Sequence, residues 1–127
     1  MRGFVVISDR ILEQQELQNL YNHIGRTDLI SPDRLVVEGE WGHFFFTANA
    51  SLREAFDDEE LTRIRGNVYD LHFYSVDFST LLAANKAVTC LPSAAMILID
   101  NDHGLIASIK EVRRRIGAGI DWTEMSR

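Results

Sequence analysis

Cysteine and long apolar runs are what this 127-residue sequence most clearly lacks. Its single cysteine, Cys90, cannot form a disulfide within the chain. The first apolar run, Phe4 to Ile7, is far shorter than a signal-peptide core of at least about seven residues or a membrane-spanning helix of about 20. We therefore expect a protein of the reducing cytoplasm without a membrane segment.

Basic residues are also scarce, because 13 lysines and arginines are set against 19 acidic residues, for a net charge of -6. That balance argues against a general affinity for nucleic-acid phosphates or for an anionic membrane surface. The deficit lies in the middle of the chain, where Glu54 to Glu60 form an acidic cluster. The cluster is either the solvated start of a helix or a patch that attracts a basic partner.

Only two prolines interrupt the chain, and the length suits one domain over residues 1–127. Short apolar runs alternate with segments of helical periodicity, so we expect an α+β fold. The fold would contain a mainly antiparallel sheet of about six strands with helices packed against it. The predicted strands cover 4–7, 35–37, 44–47, 71–76, 96–99 and 105–107, and the predicted helices cover 10–24, 51–68, 81–88 and 109–116.

Capping residues support two of these helices. Ser8 and Asp9 precede the first helix, and Ser108 and Glu111 have the spacing of a capping box before the last one. In addition, residues 4–47 and 73–107 share the order strand, aspartate, helix and hairpin. This shared order predicts a possible duplicated β-α-β-β unit.

Two tryptophans lie outside the predicted strands and helices. Trp41 falls in the turn of the first hairpin, where it is either an exposed anchor for a partner or a side chain folded back over the sheet edge. Trp122 lies in the C-terminal tail and is expected to pin that tail onto the domain.

The turn of the second hairpin, Asp100-Asn101-Asp102-His103-Gly104, is the densest polar segment of the chain. Carboxylate and imidazole groups could bind a divalent ion, but Asx side chains in tight turns usually bond to their own backbone, and a glycine allows positive φ. We therefore favour a structural turn. An EF-hand is excluded because the residues after Gly104 carry no further oxygen ligands.

No motif of a known catalytic site appears in the sequence. Cys90 has the surroundings of a small buried apolar residue rather than a nucleophile. His72 is expected in a strand as a hydrogen-bonded structural residue. We expect no catalytic residue, no metal site and no cofactor.

The segment from Leu71 to Ile116 resembles small immunity proteins of bacterial contact-dependent and polymorphic toxin systems. The resemblance rests on Phe73-Tyr74-Ser75-Val76-Asp77, a short helix, and Ile99-Asp100-Asn101-Asp102-His103-Gly104 before a capped helix. It implies a cytoplasmic, non-enzymatic α/β protein that binds and blocks one cognate toxin domain.

These observations together predict an immunity-type inhibitor of a basic toxin domain, with no direct contact to nucleic acid or membrane. The predicted contact surface combines the acidic cluster with the two hairpin turns, and its residues are Trp41, Glu54, Asp57, Asp58, Glu59, Glu60, Asp100, Asp102 and His103. One alternative is a small ligand-binding or sensor module with a pocket between sheet and helices. Another is an enzyme that uses Asp100, Asp102 and His103.

Overall fold

The computed structural model describes residues 2–56, 59, 71–93 and 95–126, which form a single domain around one antiparallel sheet. The strands are β1 (Arg2–Ser8), β2 (Arg26–Ser31), β3 (Arg34–Gly39), β4 (Gly42–Ala48), β5 (His72–Phe78), β6 (Ile97–Asp100) and β7 (Ile106–Ser108). The described helices are α1 (Gln14–Tyr21), a short 3-10 helix (Ala50–Ala55), α2 (Leu81–Thr89) and α3 (Ile109–Gly117). The predicted α+β class is confirmed.

The described sheet has seven strands in the order β2-β3-β4-β5-β1-β6-β7. Strands β2 to β5 follow one another as a meander, while β1 lies between β5 and β6. The β3–β4 hairpin pairs with β5 through its second strand, β4. The β6–β7 hairpin pairs with β1 through its first strand, β6. The two hairpins are therefore not placed equivalently, and the duplicated unit stays a prediction from the sequence.

The three α-helices, α1, α2 and α3, cover one face of the sheet. Phe44 and Phe46 are fully buried on that face, whereas Phe45 points to the other face under the Arg34 guanidinium, 4.5 Å from its ring centre. Successive side chains of a strand alternate between its two faces, so these three phenylalanines cannot all point inward. Tyr21 joins α1 to α2, because its hydroxyl donates a 2.6 Å hydrogen bond to the Ala87 carbonyl.

The second face carries a smaller apolar cluster. Ile7 and Phe73 are buried there, and Leu52 and Phe56 from the 3-10 helix and the residue after it pack over them. The rings of Phe56 and Phe73 lie 5.5 Å apart. The 3-10 helix occupies the start of the predicted helix at 51–68, and residues 57, 58 and 60–68 of that prediction lie outside the described residues.

Two predictions of local structure are wrong. Residues 26–31 were expected in a loop but form β2, which adds the seventh strand. The first helix begins at Gln14 rather than after Asp9, because Ser8 is fully buried in β1 between His72 and Ile97. Its N-cap position is Glu13, whose side chain makes no capping hydrogen bond.

Candidate functional site at the hairpin end of the sheet

Both hairpin turns lie at the same end of the sheet, which we call the hairpin end. Strand register shows this directly: Gly42 opens β4 after the first turn, Phe44 pairs with Phe78, and Phe78 pairs with Arg2. Asp100 pairs with Val5, so the second turn continues toward the same end as Arg2. With four strand spacings between the turns, their separation is roughly 20 Å.

The second turn is held by the carboxamide of Asn101, which is fully buried. Its oxygen accepts hydrogen bonds from the backbone N–H groups of His103 (2.9 Å) and Leu105 (3.1 Å). Its nitrogen donates to the carbonyls of Trp122 (2.8 Å) and Met125 (2.6 Å). One side chain thus fixes both the turn and the C-terminal tail.

The backbone of this turn has the conformation that the sequence predicted. Gly104 has a φ of +100°, Asp102 has a φ of +63°, and the N–H of Asp102 donates to a carboxylate oxygen of Asp100 at 2.9 Å. The structural interpretation of the turn is therefore confirmed. Within the described residues, no group of three or more His, Cys, Asp or Glu side chains is placed to hold a metal ion.

The C-terminal tail packs beside this turn. Trp122 is fully buried, its ring meets Phe4 edge-on at 5.0 Å, and its indole nitrogen donates to the Asn85 side chain at 2.8 Å. Trp122 therefore pins the tail onto the domain, as the sequence predicted. A 2.8 Å ion pair between Arg2 and Glu124 adds a second link between the tail and β1.

Trp41 is folded back over the edge of the sheet. Its indole nitrogen donates a 3.1 Å hydrogen bond to the Ile24 carbonyl, and its ring stacks on Phe44 at 5.8 Å. A Cβ at Gly39 would come within 2.4 Å of the indole nitrogen, so the ring fits against the bare glycine backbone. Of the two interpretations of Trp41, the folded-back one describes its position, and a role in binding a partner stays a prediction.

The hairpin end carries acidic groups that no basic side chain of the described residues neutralises. Glu40 and Asp102 are exposed and have no ion-pair partner in that part of the chain. By contrast, Glu38 is paired with Arg26 at 2.6 Å. His103 is exposed next to Asp102, whereas Asp100 is half-buried and accepts the turn hydrogen bond described above.

Glu54, the first residue of the acidic cluster, lies away from the hairpin end. Glu54 lies in the 3-10 helix, which follows the far end of β4 and packs on β5. Since β4 has seven residues, that helix begins about 20 Å from the first hairpin turn. Glu59 is exposed, and Asp57, Asp58 and Glu60 lie outside the described residues. The structure therefore separates Glu54 from the predicted contact residues in the two hairpin turns.

A cavity of about 270 Å³ opens at the end of the sheet opposite the hairpin end. Its lining includes Ile11, Asn49, Arg53 and His72. Ile11, Asn49 and His72 are distant in sequence, so residue spacing alone could not predict that they line one cavity. Asn101 was missed for a related reason, since its two acceptors in the tail lie more than 20 residues away.

The thiol of Cys90 shows no sign of activation. Burial raises its pKa, and the opposing effects of Thr89 and Lys86 are smaller. A raised pKa leaves less thiolate at neutral pH, and the thiolate is the nucleophilic form.

Comparison of the chain with protein-family models, with curated proteins and with solved structures gave no significant match. Among the described helices, none is long and apolar enough to cross a membrane. The resemblance to immunity proteins therefore rests on residues 71–116 alone.

Proposed function

We propose that this chain is a non-enzymatic, immunity-type inhibitor that binds a basic toxin domain with its hairpin end. The observation that supports this most directly is the shared location of the two hairpin turns, which present Glu40 and Asp102 at one end of the sheet. Neither carboxylate has an ion-pair partner among the described residues. A basic surface would supply those partners.

The hairpin end is also preorganised. Asn101 bonds the second turn from within, and the side-chain hydroxyl of Thr80 donates a 2.7 Å hydrogen bond to the Trp41 carbonyl in the first turn. Turns that are already held in place lose little conformational freedom when they bind. Such a surface suits a stoichiometric inhibitor, whose affinity depends on contacts rather than on turnover.

Growth rescue tests the proposal. If the neighbouring reading frame encodes a large secreted protein, the chain would be coexpressed with the C-terminal domain of that protein. We expect the native chain to restore growth, and the double variant Glu40→Lys, Asp102→Lys to weaken toxin binding by at least about tenfold, because two attractive charges become repulsive. Binding would be measured by calorimetry on the purified proteins.

A matched control reverses two charges elsewhere. Glu13 and Asp33 are both exposed and lie away from the hairpin end, so Glu13→Lys, Asp33→Lys makes the same change in net charge. This control should retain rescue. Equal loss with both double variants would show that only net charge matters, and continued killing by an active toxin in the presence of the native chain would contradict inhibition altogether.

A small ligand-binding module is the second candidate function, and the cavity at the opposite end of the sheet favours it. The two candidates are compatible, since their sites lie at different ends. A thermal shift with a small molecule, in the absence of any protein partner, would support this second function.

A further inference from the structure

The cavity opposite the hairpin end lies where β4 and β5 meet the 3-10 helix and the loop before α1. Its volume is about 270 Å³. That volume is large enough to hold a small metabolite.

Part of the cavity lining is apolar. Ala48, Leu71, Phe73 and the ring of Tyr74 contribute to it, and Ile11 stands in the loop before α1. Ile11 is 55% exposed, which is high for a large apolar side chain. The Tyr74 hydroxyl accepts a 2.7 Å hydrogen bond from the N–H of Leu12, so the loop that carries Ile11 is already held in place. A short apolar group could pack on these residues without rearrangement of the loop.

Other residues of the cavity lining offer hydrogen-bond donors. Arg53 is exposed and has neither an ion pair nor a hydrogen bond through its side chain within the described residues. The Asn49 side-chain oxygen already accepts from Ser51 at 2.6 Å, which leaves its amide N–H groups as donors. His72 makes no side-chain hydrogen bond to a described residue, so the expected hydrogen-bonded structural histidine is not what the structure shows.

The charge of this lining differs from that of the whole chain. The net charge of the protein is -6, yet the lining residues that the structure describes include one arginine and no acidic residue. A planar guanidinium binds a carboxylate through two parallel hydrogen bonds. A molecule that combines a carboxylate with a short apolar tail would contact both the donor residues and the apolar residues of the lining.

From this geometry we infer that the cavity binds a small monocarboxylate with a short aliphatic tail. The carboxylate contacts Arg53, with Asn49 and His72 as further donors, and the tail packs on Ile11 and Tyr74. This inference names the ligand class for the second candidate function. It does not depend on toxin inhibition, because its residues lie at the opposite end of the sheet.

Nuclear magnetic resonance titration of the ¹⁵N-labelled chain with sodium hexanoate tests the inference. We expect saturable shifts of the Asn49, Arg53 and His72 amides, and a hexanoate affinity at least about tenfold higher than that for hexan-1-ol or hexylamine, which lack the carboxylate. The variant Arg53→Gln should lower hexanoate affinity about fivefold to tenfold and leave the weak binding of hexan-1-ol unchanged.

Lys110→Gln is the matched control, since it removes one exposed positive charge from α3, outside the cavity lining. Hexanoate affinity should be the same in this variant as in the native chain. Absence of saturable shifts, equal affinity for hexanoate and hexan-1-ol, or equal weakening by Lys110→Gln would each overturn the inference. Growth rescue by Arg53→Gln separates this result from the proposed inhibition, because that variant leaves the hairpin end intact.

Discussion

At the scale of single residues, Asn101 connects more of the molecule than its size suggests. Its carboxamide uses both of its donor N–H groups on the tail and bonds two backbone N–H groups of the turn. The side chains of Asp102 and His103, which follow it, stay exposed. The turn can therefore present Asp102 and His103 to a partner without being flexible itself.

Replacement of Asn101 by alanine should lower the free energy of unfolding by about 2 to 3 kcal/mol, because buried backbone groups lose their partners. Chemical denaturation in urea would measure the change. Asn19→Ala is the control, because Asn19 is exposed on α1 and accepts a hydrogen bond only from Gln15. Its cost should stay below about 0.5 kcal/mol. Equal costs for the two variants would contradict the structural role of Asn101.

Residues of the candidate site were predictable where local chemistry decides their position. The run Asp100 to Gly104 predicted a structural turn, because Asx side chains and glycine act on their own backbone. The direction of Trp41 was not predictable, since it depends on the Ile24 carbonyl and on the bare backbone of Gly39. Those partners become neighbours only after the sheet has formed.

At the scale of elements, sequence pattern located the strands that carry buried apolar side chains. Strand β3, for example, buries Leu35, Val36 and Val37 and was placed correctly. Strand β2 lies at an edge and is exposed along almost its whole length, so it shows no alternation of apolar and polar residues. Leu29 and Ile30 are both exposed in it, and backbone pairing with β3 alone makes it a strand.

Helix α3 shows a further departure from local expectation. The Ser108 hydroxyl accepts the N–H of Glu111 at 3.1 Å, as a capping box requires. The Glu111 carboxylate does not complete the box, because it bonds Arg114 at 2.6 Å and Arg115 at 3.1 Å. These hydrogen bonds lower the pKa of Glu111 from its ordinary value near 4.5 to about 2, and the bond from Arg114 has the largest effect.

This pKa predicts how Glu111 contributes to stability as pH changes. Since its folded pKa is below its unfolded pKa, its contribution is fully present above about pH 4.5 and is lost as the pH falls toward 2. Glu111→Gln should therefore flatten the dependence of the urea midpoint on pH in that window. Midpoints would be measured in steps from about pH 6 to about pH 2.5. Identical slopes for the variant and the native chain would contradict the pairing with Arg114 and Arg115.

At the scale of the whole molecule, the sheet separates two kinds of surface. The hairpin end combines rigid turns with exposed carboxylates, and the opposite end holds a cavity with an arginine in its lining. Glu54, the first residue of the acidic cluster, lies away from the hairpin end. In the complex that we propose, the acidic cluster raises the rate of encounter with a basic partner through long-range attraction, and Glu40 and Asp102 contact that partner.

This separation predicts different kinetics for two sets of variants in complex with the toxin domain. Serine at positions 57, 58, 59 and 60 should slow association severalfold at about 50 mM salt and leave dissociation unchanged, because steering acts before contact. Glu40→Lys, Asp102→Lys should raise the dissociation rate as well, since contacts in the complex are lost.

Stopped-flow association and dissociation rates at about 50 mM and about 500 mM salt would separate the two effects. An unchanged association rate for the serine variant at low salt would remove the acidic cluster from the mechanism, and an unchanged dissociation rate for the lysine variant would remove the hairpin end.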